Sequence, residues 1–326
     1  MYLSRRDLIK SGFLFLSSSI LFNGCSENQI AKENLRQNKK ILGESGKPKV
    51  VVVKGNNIEK NLDMGFDSLG DVRANIKSGS KIVIKPNFVT PEPYPATTDV
   101  SFILSVVKKF LDMGFSNIKI IDCSHKSCFD YNKIIEKSSK LGVEAKFCEP
   151  NDLTKYKKRI NPEWHCFDEL MIQKDIADAD FIVNLPVLKR HNSAGLSCAM
   201  KNHFGSVNGS PRYVAHGRYK IGNTKFFMDT VAEFADAVRP EMTIVDARDI
   251  LVRNGPSLAE GDVLKGYDKL IISSDMVAID SFCSVIMEDV DPSFSIEMID
   301  KTLDRAVELG LGVKEIDKLD IKDITA

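Results

Sequence analysis

The segment from Asn184 to Gly205 holds the densest set of side chains able to do chemistry. It reads Asn184-Leu185-Pro186-Val187-Leu188-Lys189-Arg190-His191 and ends Gly195-Leu196-Ser197-Cys198-Ala199-Met200-Lys201-Asn202-His203-Phe204-Gly205. Ammonium groups neutralise phosphate or carboxylate oxygens, and an imidazole can move a proton or ligate a metal near neutral pH. Lys189 and Lys201 are therefore candidate anion ligands, and Lys201 and His191 are candidate catalytic groups. Asn202 offers amide hydrogens to the same ligand. His203 has a plainer reading, as a residue that caps a turn or lines the core. The pattern predicts a strand ending at Leu185-Pro186, with Lys189, Arg190 and His191 in the loop after it. A helix opening near Gly195 and Ser197 would carry Lys201 and add its free N–H groups to an anion site.

Other candidates lie elsewhere along the chain. Lys85-Pro86-Asn87 follows an apolar run, and a lysine at a buried strand end requires a partner, so Lys85 and Asn87 join the ligand-binding set. His216 lies in Arg212-Tyr213-Val214-Ala215-His216-Gly217-Arg218, read as a basic loop able to close over a ligand and supply a second catalytic imidazole. Asp246 and Asp280 are candidates for holding a cation, with helix capping as the plainer alternative. Asp275, before an apolar helical run, reads as an N-cap. His191, His203 and His216 are spaced by twelve and thirteen residues, which matches no metal motif, so any metal geometry would come from the fold. Asn254-Gly255-Pro256 is most simply a turn.

These residues need elements to position them. Runs at Val50–Val53, Ile82–Lys85, Ile118–Ile121, Ala145–Cys148, Phe181–Asn184, Thr243–Asp246 and Leu270–Ile272 read as buried strands. Helical spacing marks Asp99 to Phe115, with Asp99 or Ser101 as cap, then Tyr131 to Leu141, and Phe226 to Val238 ended by Pro240. This alternation predicts a single α/β domain, a mainly parallel sheet with helices on both faces in a Rossmann-like three-layer arrangement. Ligand sites in such sheets lie at the carboxyl ends of strands, where Lys85, Asn87, Asp122, Asn184 and Asp246 are expected.

Taken together, these motifs resemble a bacterial and archaeal family, domain-of-unknown-function family 362. The resemblance rests on Lys85-Pro86-Asn87, Thr97-Thr98-Asp99, Leu185-Pro186-Val187-Leu188-Lys189-Arg190-His191 and Lys201-Asn202-His203-Phe204-Gly205. His216, Val245-Asp246-Ala247, Asn254-Gly255-Pro256 and Ser274-Asp275-Met276-Val277-Ala278-Ile279-Asp280 complete it, over roughly residues 80 to 315. It implies a fold and a set of positions, but no assigned reaction. Many proteins resembling the family append ferredoxin-like iron–sulfur motifs, which implies redox chemistry. This chain has no Cys-x-x-Cys, so a ferredoxin-type iron–sulfur cluster is disfavoured.

The N-terminus concerns destination. Arg5-Arg6 precedes the apolar run Gly12–Phe22, too short for a spanning helix of ~20 residues, and resembles a twin-arginine export signal. Asn23-Gly24-Cys25 resembles a lipidation site, with Cys25 as the acylated residue. The expected organisation is a signal peptide over 1–24, a lipid-anchored tether over 25–48 and the α/β domain over 49–326. Localisation would be periplasmic or otherwise extracytoplasmic, with the export machinery and the membrane as partners. Six further cysteines, Cys123, Cys128, Cys148, Cys166, Cys198 and Cys283, permit disulfides without fixing a pairing; Cys123 and Cys128 around His125 form the close pair, read as a disulfide, part of a metal site or unrelated thiols.

Composition sets the outer limits. The chain has 326 residues, 43% hydrophobic and 28% charged, with 45 basic against 45 acidic side chains, so it is neither disordered nor electrostatically suited to nucleic acid. The expected function is an exported enzyme, dependent on a cofactor or metal of unknown identity, acting on an anionic small molecule, with redox chemistry among the candidates because folded export suits a preloaded cofactor. The alternatives are a non-catalytic envelope binding lipoprotein and an assembly partner of a membrane redox complex.

Overall fold

Val50 to Val53 form the middle of the first strand in the computed structural model, which describes residues 35, 36, 40–123 and 131–326. Their side chains alternate, Val50 and Val52 entering one core and Val51 and Val53 the other. A strand buried on both faces needs no polar alternation, so its sequence is a continuous apolar run.

In chain order the elements are β1 (Lys49–Lys54), α1 (Ile58–Leu69), β2 (Ile82–Pro86), α2 (Val100–Asp112), β3 (Ile118–Asp122), α3 (Tyr131–Ser139) and β4 (Glu144–Phe147). Then come β5 (Tyr156–Arg159), β6 (Leu170–Gln173), the single turn α4 (Lys174–Ala177), β7 (Phe181–Leu185), β8 (Val187–His191) and β9 (Gly195–Ser197). The chain continues through α5 (Gly209–Lys220), α6 (Thr224–Val238), β10 (Met242–Val252), β11 (Asp262–Leu264), β12 (Lys269–Ser273), α7 (Met276–Val290), α8 (Glu297–Glu308) and β13 (Asp320–Thr325).

The main path of the sheet runs β13-β1-β12-β10-β7-β2-β3-β4. Strands β10, β7, β2, β3 and β4 run parallel, while β12 is antiparallel to both β1 and β10. The fold is thus α/β with a mixed, mostly parallel sheet. Helices α1, α2 and α3 cover one face through Leu62, Phe66, Phe102, Phe110 and Ile134. Helices α6, α7 and α8 cover the other through Phe227, Phe234, Ile279, Cys283 and Leu303. Two expected caps are present: Asp99 accepts from Phe102 N at 3.0 Å, and Asp275 accepts from Val277 N and Ala278 N at 3.0 Å each.

Three expectations are corrected. Lys189, Arg190 and His191 lie in a buried strand, β8, which meets β10 at Val187 and Lys189 and hairpins with β9. Gly195 to Ser197 open that return strand and not a helix, and Lys201 follows in a 3₁₀ segment, Lys201–Ser206. Gly195 has φ +72°, a conformation that suits glycine at the hairpin corner. His216 sits in helix α5, not in a loop. The end of the expected tether is held against the domain: Lys40 Nζ reaches Asp275 at 2.6 Å and Ile41 N donates to Ser274 at 2.6 Å.

Candidate active site

The site begins with a buried ion pair. Lys85, in the last turn of the pleat of β2, donates to Asp122 at the end of β3 at 2.9 Å and to its neighbour's carbonyl, Pro86 O, at 2.8 Å. Asp122 also accepts from Phe88 N at 3.1 Å, so the carboxylate ties together the ends of two parallel strands. The backbone at Gly205 closes over this pair. A Cβ there would lie 2.7 Å from Asp122 Oδ1 and 2.7 Å from Lys85 Nζ, so any side chain at Gly205 would have to displace the ion pair or the backbone.

Beside the pair runs a chain of amides. Asn87 Nδ2 donates to Asn202 Oδ1 at 3.0 Å, Asn202 Nδ2 to Asn184 Oδ1 at 2.8 Å, and Asn184 Nδ2 to Ala199 O at 3.0 Å. Lys189 Nζ is held by Ala96 O and by Asn87 Oδ1, the latter at 3.4 Å. Lys85, Asn87, Lys189 and Asn202 thus lie together, with much of their hydrogen-bonding capacity used on one another. They build the floor of the site.

Above that floor lies a cavity of about 500 Å³. Lys85, Lys189, Lys201 and Arg212 line it with Asp122 and Glu260, so cations outnumber carboxylates. Lys201 Nζ lies 3.5 Å from the centre of the Phe204 ring, and no carboxylate or carbonyl among the described residues accepts from it. Burial lowers Lys201 to about 7, with the charges of Lys189 and Arg212 adding to the effect, and burial lowers Lys189 to about 7. These are ammonium groups short of a counter-ion.

Two histidines face the same cavity in opposite states. His191 Nδ1 accepts from Ser193 N at 3.1 Å and Ala194 N at 3.2 Å, which leaves the ring proton on Nε2. His216 Nδ1 lies 2.8 Å from Arg212 O, a group that can only accept, so this ring carries its proton on Nδ1 and leaves Nε2 as a base. Burial, followed by the charge of Lys201, lowers both below the usual histidine value and keeps them neutral. Phe204 and Phe227 pack edge-on against His216 and fix its plane. The arrangement offers a donor and an acceptor across a pocket that attracts anions.

The remaining candidates stand apart. His203 is fully buried with Nε2 unpartnered and Nδ1 3.3 Å from Ser206 Oγ; burial lowers it to about 3. Asp246 lies inside β10, paired to Arg248 at 2.7 Å and accepting from Tyr94 at 3.1 Å. Asp280 accepts from Ala199 N at 2.6 Å and Met200 N at 3.0 Å, and burial raises it to about 6. Neither lines the cavity, and the structure gives both the role of holding backbone or arginine in place. Among the described residues no group of three or more His, Cys, Asp and Glu could hold a metal ion. Arg5, Arg6, Cys25, His125 and Cys128 lie outside the described residues.

Arg212, Phe204, Tyr213 and Asp122 line the site without having been singled out as site residues. Asp122 was legible as a polar strand end. Arg212 was not, because its link to the site is tertiary: Nη1 donates to Cys123 O at 2.7 Å and Nε to Val207 O at 2.7 Å.

Among solved structures, the lactate racemase apoprotein from Thermoanaerobacterium thermosaccharolyticum is similar over 77% of this chain and 62% of its own, with a TM-score of 0.44 and 13% identity. A protein from Thermotoga maritima is similar over 77% of this chain and 59% of its own, with a TM-score of 0.43 and 12% identity. In sequence, the thylakoid-associated protein sll1697 of Synechocystis is 30% identical over 128 residues, which is 39% of this chain and 38% of that relative. The chain therefore matches well under two thirds of that relative's length. The model of the family described as a domain of unknown function, DUF362, matches residues 82–285, a span that holds the whole lining of the cavity from Lys85 to Glu260, and the chain belongs to that family.

Proposed function

We propose that this protein is an enzyme that binds an anionic small molecule, or the anionic group of a cofactor, and transfers protons on it between two fixed histidines. The observation that carries the reading is the pair of opposite imidazole states facing a cavity whose Lys201 has no protein acceptor among the described residues. Lys201, backed by Arg212 and Lys189, takes the anion. His216 Nε2 accepts a proton and His191 Nε2–H donates one, each in the state its backbone contacts impose. A cofactor, where one is used, would add chemistry that these residues position.

The test is hydrogen exchange at carbon. A panel of small hydroxy- and oxo-carboxylates is incubated with the full chain in deuterated water and followed by NMR. Deuterium should enter a C–H bond next to a carboxylate, and His216→Gln should abolish this while binding persists. Binding with no exchange or other turnover for any bound ligand would instead favour a non-catalytic binding lipoprotein.

Export through the twin-arginine machinery and lipid attachment at Cys25 belong to the same proposal and rest on Arg5-Arg6 and Asn23-Gly24-Cys25. The acyl chains on Cys25 would carry the membrane association; no helix among the described residues is long and apolar enough to cross a membrane. Cys25→Ser should release the protein from the membrane fraction, and retention of that variant would refute the anchor.

A further inference from the structure

Cys123 and Cys148 stand one place beyond the ends of two neighbouring parallel strands. Asp122 on β3 and Phe147 on β4 are partners in register, and the last bond of that ladder runs from Cys148 N to Asp122 O at 2.9 Å. Adjacent strands lie roughly 5 Å apart, so residues that directly follow a partnered pair leave the sheet near the separation a disulfide spans. The side chains meet in a small buried cluster with Tyr156, packed against Met171.

The polar contacts give the two sulfurs different characters. The Cys123 thiol packs against the Cys148 sulfur, and Gln173 Nε2 donates to the same sulfur at 3.2 Å. The first contact and then, against the cost of burial, the Gln173 amide and the charge of Lys146 draw the Cys148 thiol down to about 7. Burial, followed by its hydrogen bond to Cys148, pushes Cys123 well up. Cys148 is therefore the more readily deprotonated of the two sulfurs, and Cys123 is the thiol held protonated beside it. Cys123 stands at the wall of the cavity; it is fully buried and Cys148 is 4% exposed, so only a reagent as small as hydrogen peroxide would reach the sulfurs.

We propose that Cys123 and Cys148 form a hydroperoxide-sensitive dithiol site that closes to a disulfide at the wall of the cavity. The Cys148 thiolate attacks one oxygen of hydrogen peroxide; the O–O bond breaks, hydroxide leaves, and Cys148 becomes a sulfenic acid. The Cys123 sulfur then attacks the Cys148 sulfur; the S–O bond breaks and the oxygen leaves as water with the thiol proton. The dithiol gives up two electrons and the peroxide is reduced to two waters. The other thiols differ. Cys198 meets Cys283, but burial, then that neighbour and the Asp280 carboxylate, hold Cys198 well above the usual thiol value. Cys166 is pushed up to about 12 by burial and by Glu233.

The reduced full chain is exposed to hydrogen peroxide, unfolded in N-ethylmaleimide, digested with trypsin and analysed by mass spectrometry. Peptides 120–126 and 147–155 should be recovered joined, while Cys198 and Cys283 are recovered alkylated. Cys123→Ser should remove the link and leave Cys148 as a sulfenic acid that a cyclic dione traps. Met298, which is 40% exposed, reports the oxidant dose. Recovery of both Cys123 and Cys148 alkylated once Met298 is a sulfoxide would overturn the proposal. A link from either thiol to Cys128, in peptide 127–133, would overturn it as well.

Discussion

Lys85 and Asp122 are joined at 2.9 Å with side-chain exposures of 1% and 3%, so each is the other's main source of charge compensation. Removing one partner of such a pair strands a buried charge. Asp122→Asn should therefore cost about 3–5 kcal/mol of stability, read as a lower midpoint in denaturant unfolding. An unchanged midpoint would mean that water reaches Lys85.

Gly205 is where the 3₁₀ segment meets that pair. Because a Cβ would approach both Asp122 Oδ1 and Lys85 Nζ at 2.7 Å, Gly205→Ala must push apart an ion pair or the backbone. The expected cost is roughly 1–3 kcal/mol, in the range of overpacked cores, with a loss of ligand affinity because the cavity floor moves. A variant as stable as the parent would show that the floor is soft.

Lys201 is a buried cation retained without a protein acceptor among the described residues, an arrangement that favours ligand over stability. Lys201→Met should raise the stability of the ligand-free protein by about 1 kcal/mol or more, while weakening binding of small carboxylates at least tenfold. Thermal shift with and without ligand reads both. Loss of stability together with unchanged binding would remove Lys201 from the anion site.

The pH dependence of binding has a definite sign. Burial brings Lys189 and Lys201 to about 7 in the free protein, with Glu92 opposing it at the first and the charges of Lys189 and Arg212 adding to it at the second. A bound anion favours their ammonium forms and raises both values. Affinity should be full below about 7 and fall as pH rises beyond it, with protons taken up on binding. The histidines do not set this window, since both titrate below the usual value. Calorimetry in two buffers of different ionisation heat measures the uptake, and affinity rising with pH would contradict the assignment. In the ligand-free protein these depressed values mean fewer bound protons when folded, so stability should increase from about 7 towards 10.5.

How much of this was legible in the sequence depends on where each residue's partners lie. The strands around Val50–Val53 and Ile82–Lys85 and the caps at Asp99 and Asp275 announce themselves through local pattern. Lys189-Arg190-His191 does not, because three basic residues resemble a loop until the structure supplies Ala96 O, Asp291 and two backbone amides as their partners. Helix α5 was hidden for a different reason. Its apolar residues Tyr213 and Val214 are exposed and only Gly209 and Ala215 are buried, so it lacks the stripe by which a helix is recognised. Strand-end logic reached Lys85 and Asn87, whereas Lys189, Lys201 and Asn202 come to the same cavity from β8 and a 3₁₀ segment, and the surroundings of Asp246 and Asp280 depended on contacts with Arg248 and with the backbone at Ala199 and Met200.

Strand β8 places Lys189 and His191 two residues apart, on the side that lines the cavity, and turns Arg190 to the other side, where it meets Asp291 at 3.0 Å. That division depends on count and not on composition. Deleting one residue between Pro186 and Lys189 would exchange the two faces, sending a guanidinium into the cavity and an amine and an imidazole into the opposite core. The segment can therefore drift in side chains far more easily than in length, and a graft of this site onto another scaffold would have to carry the parity of β8 before any of its chemistry.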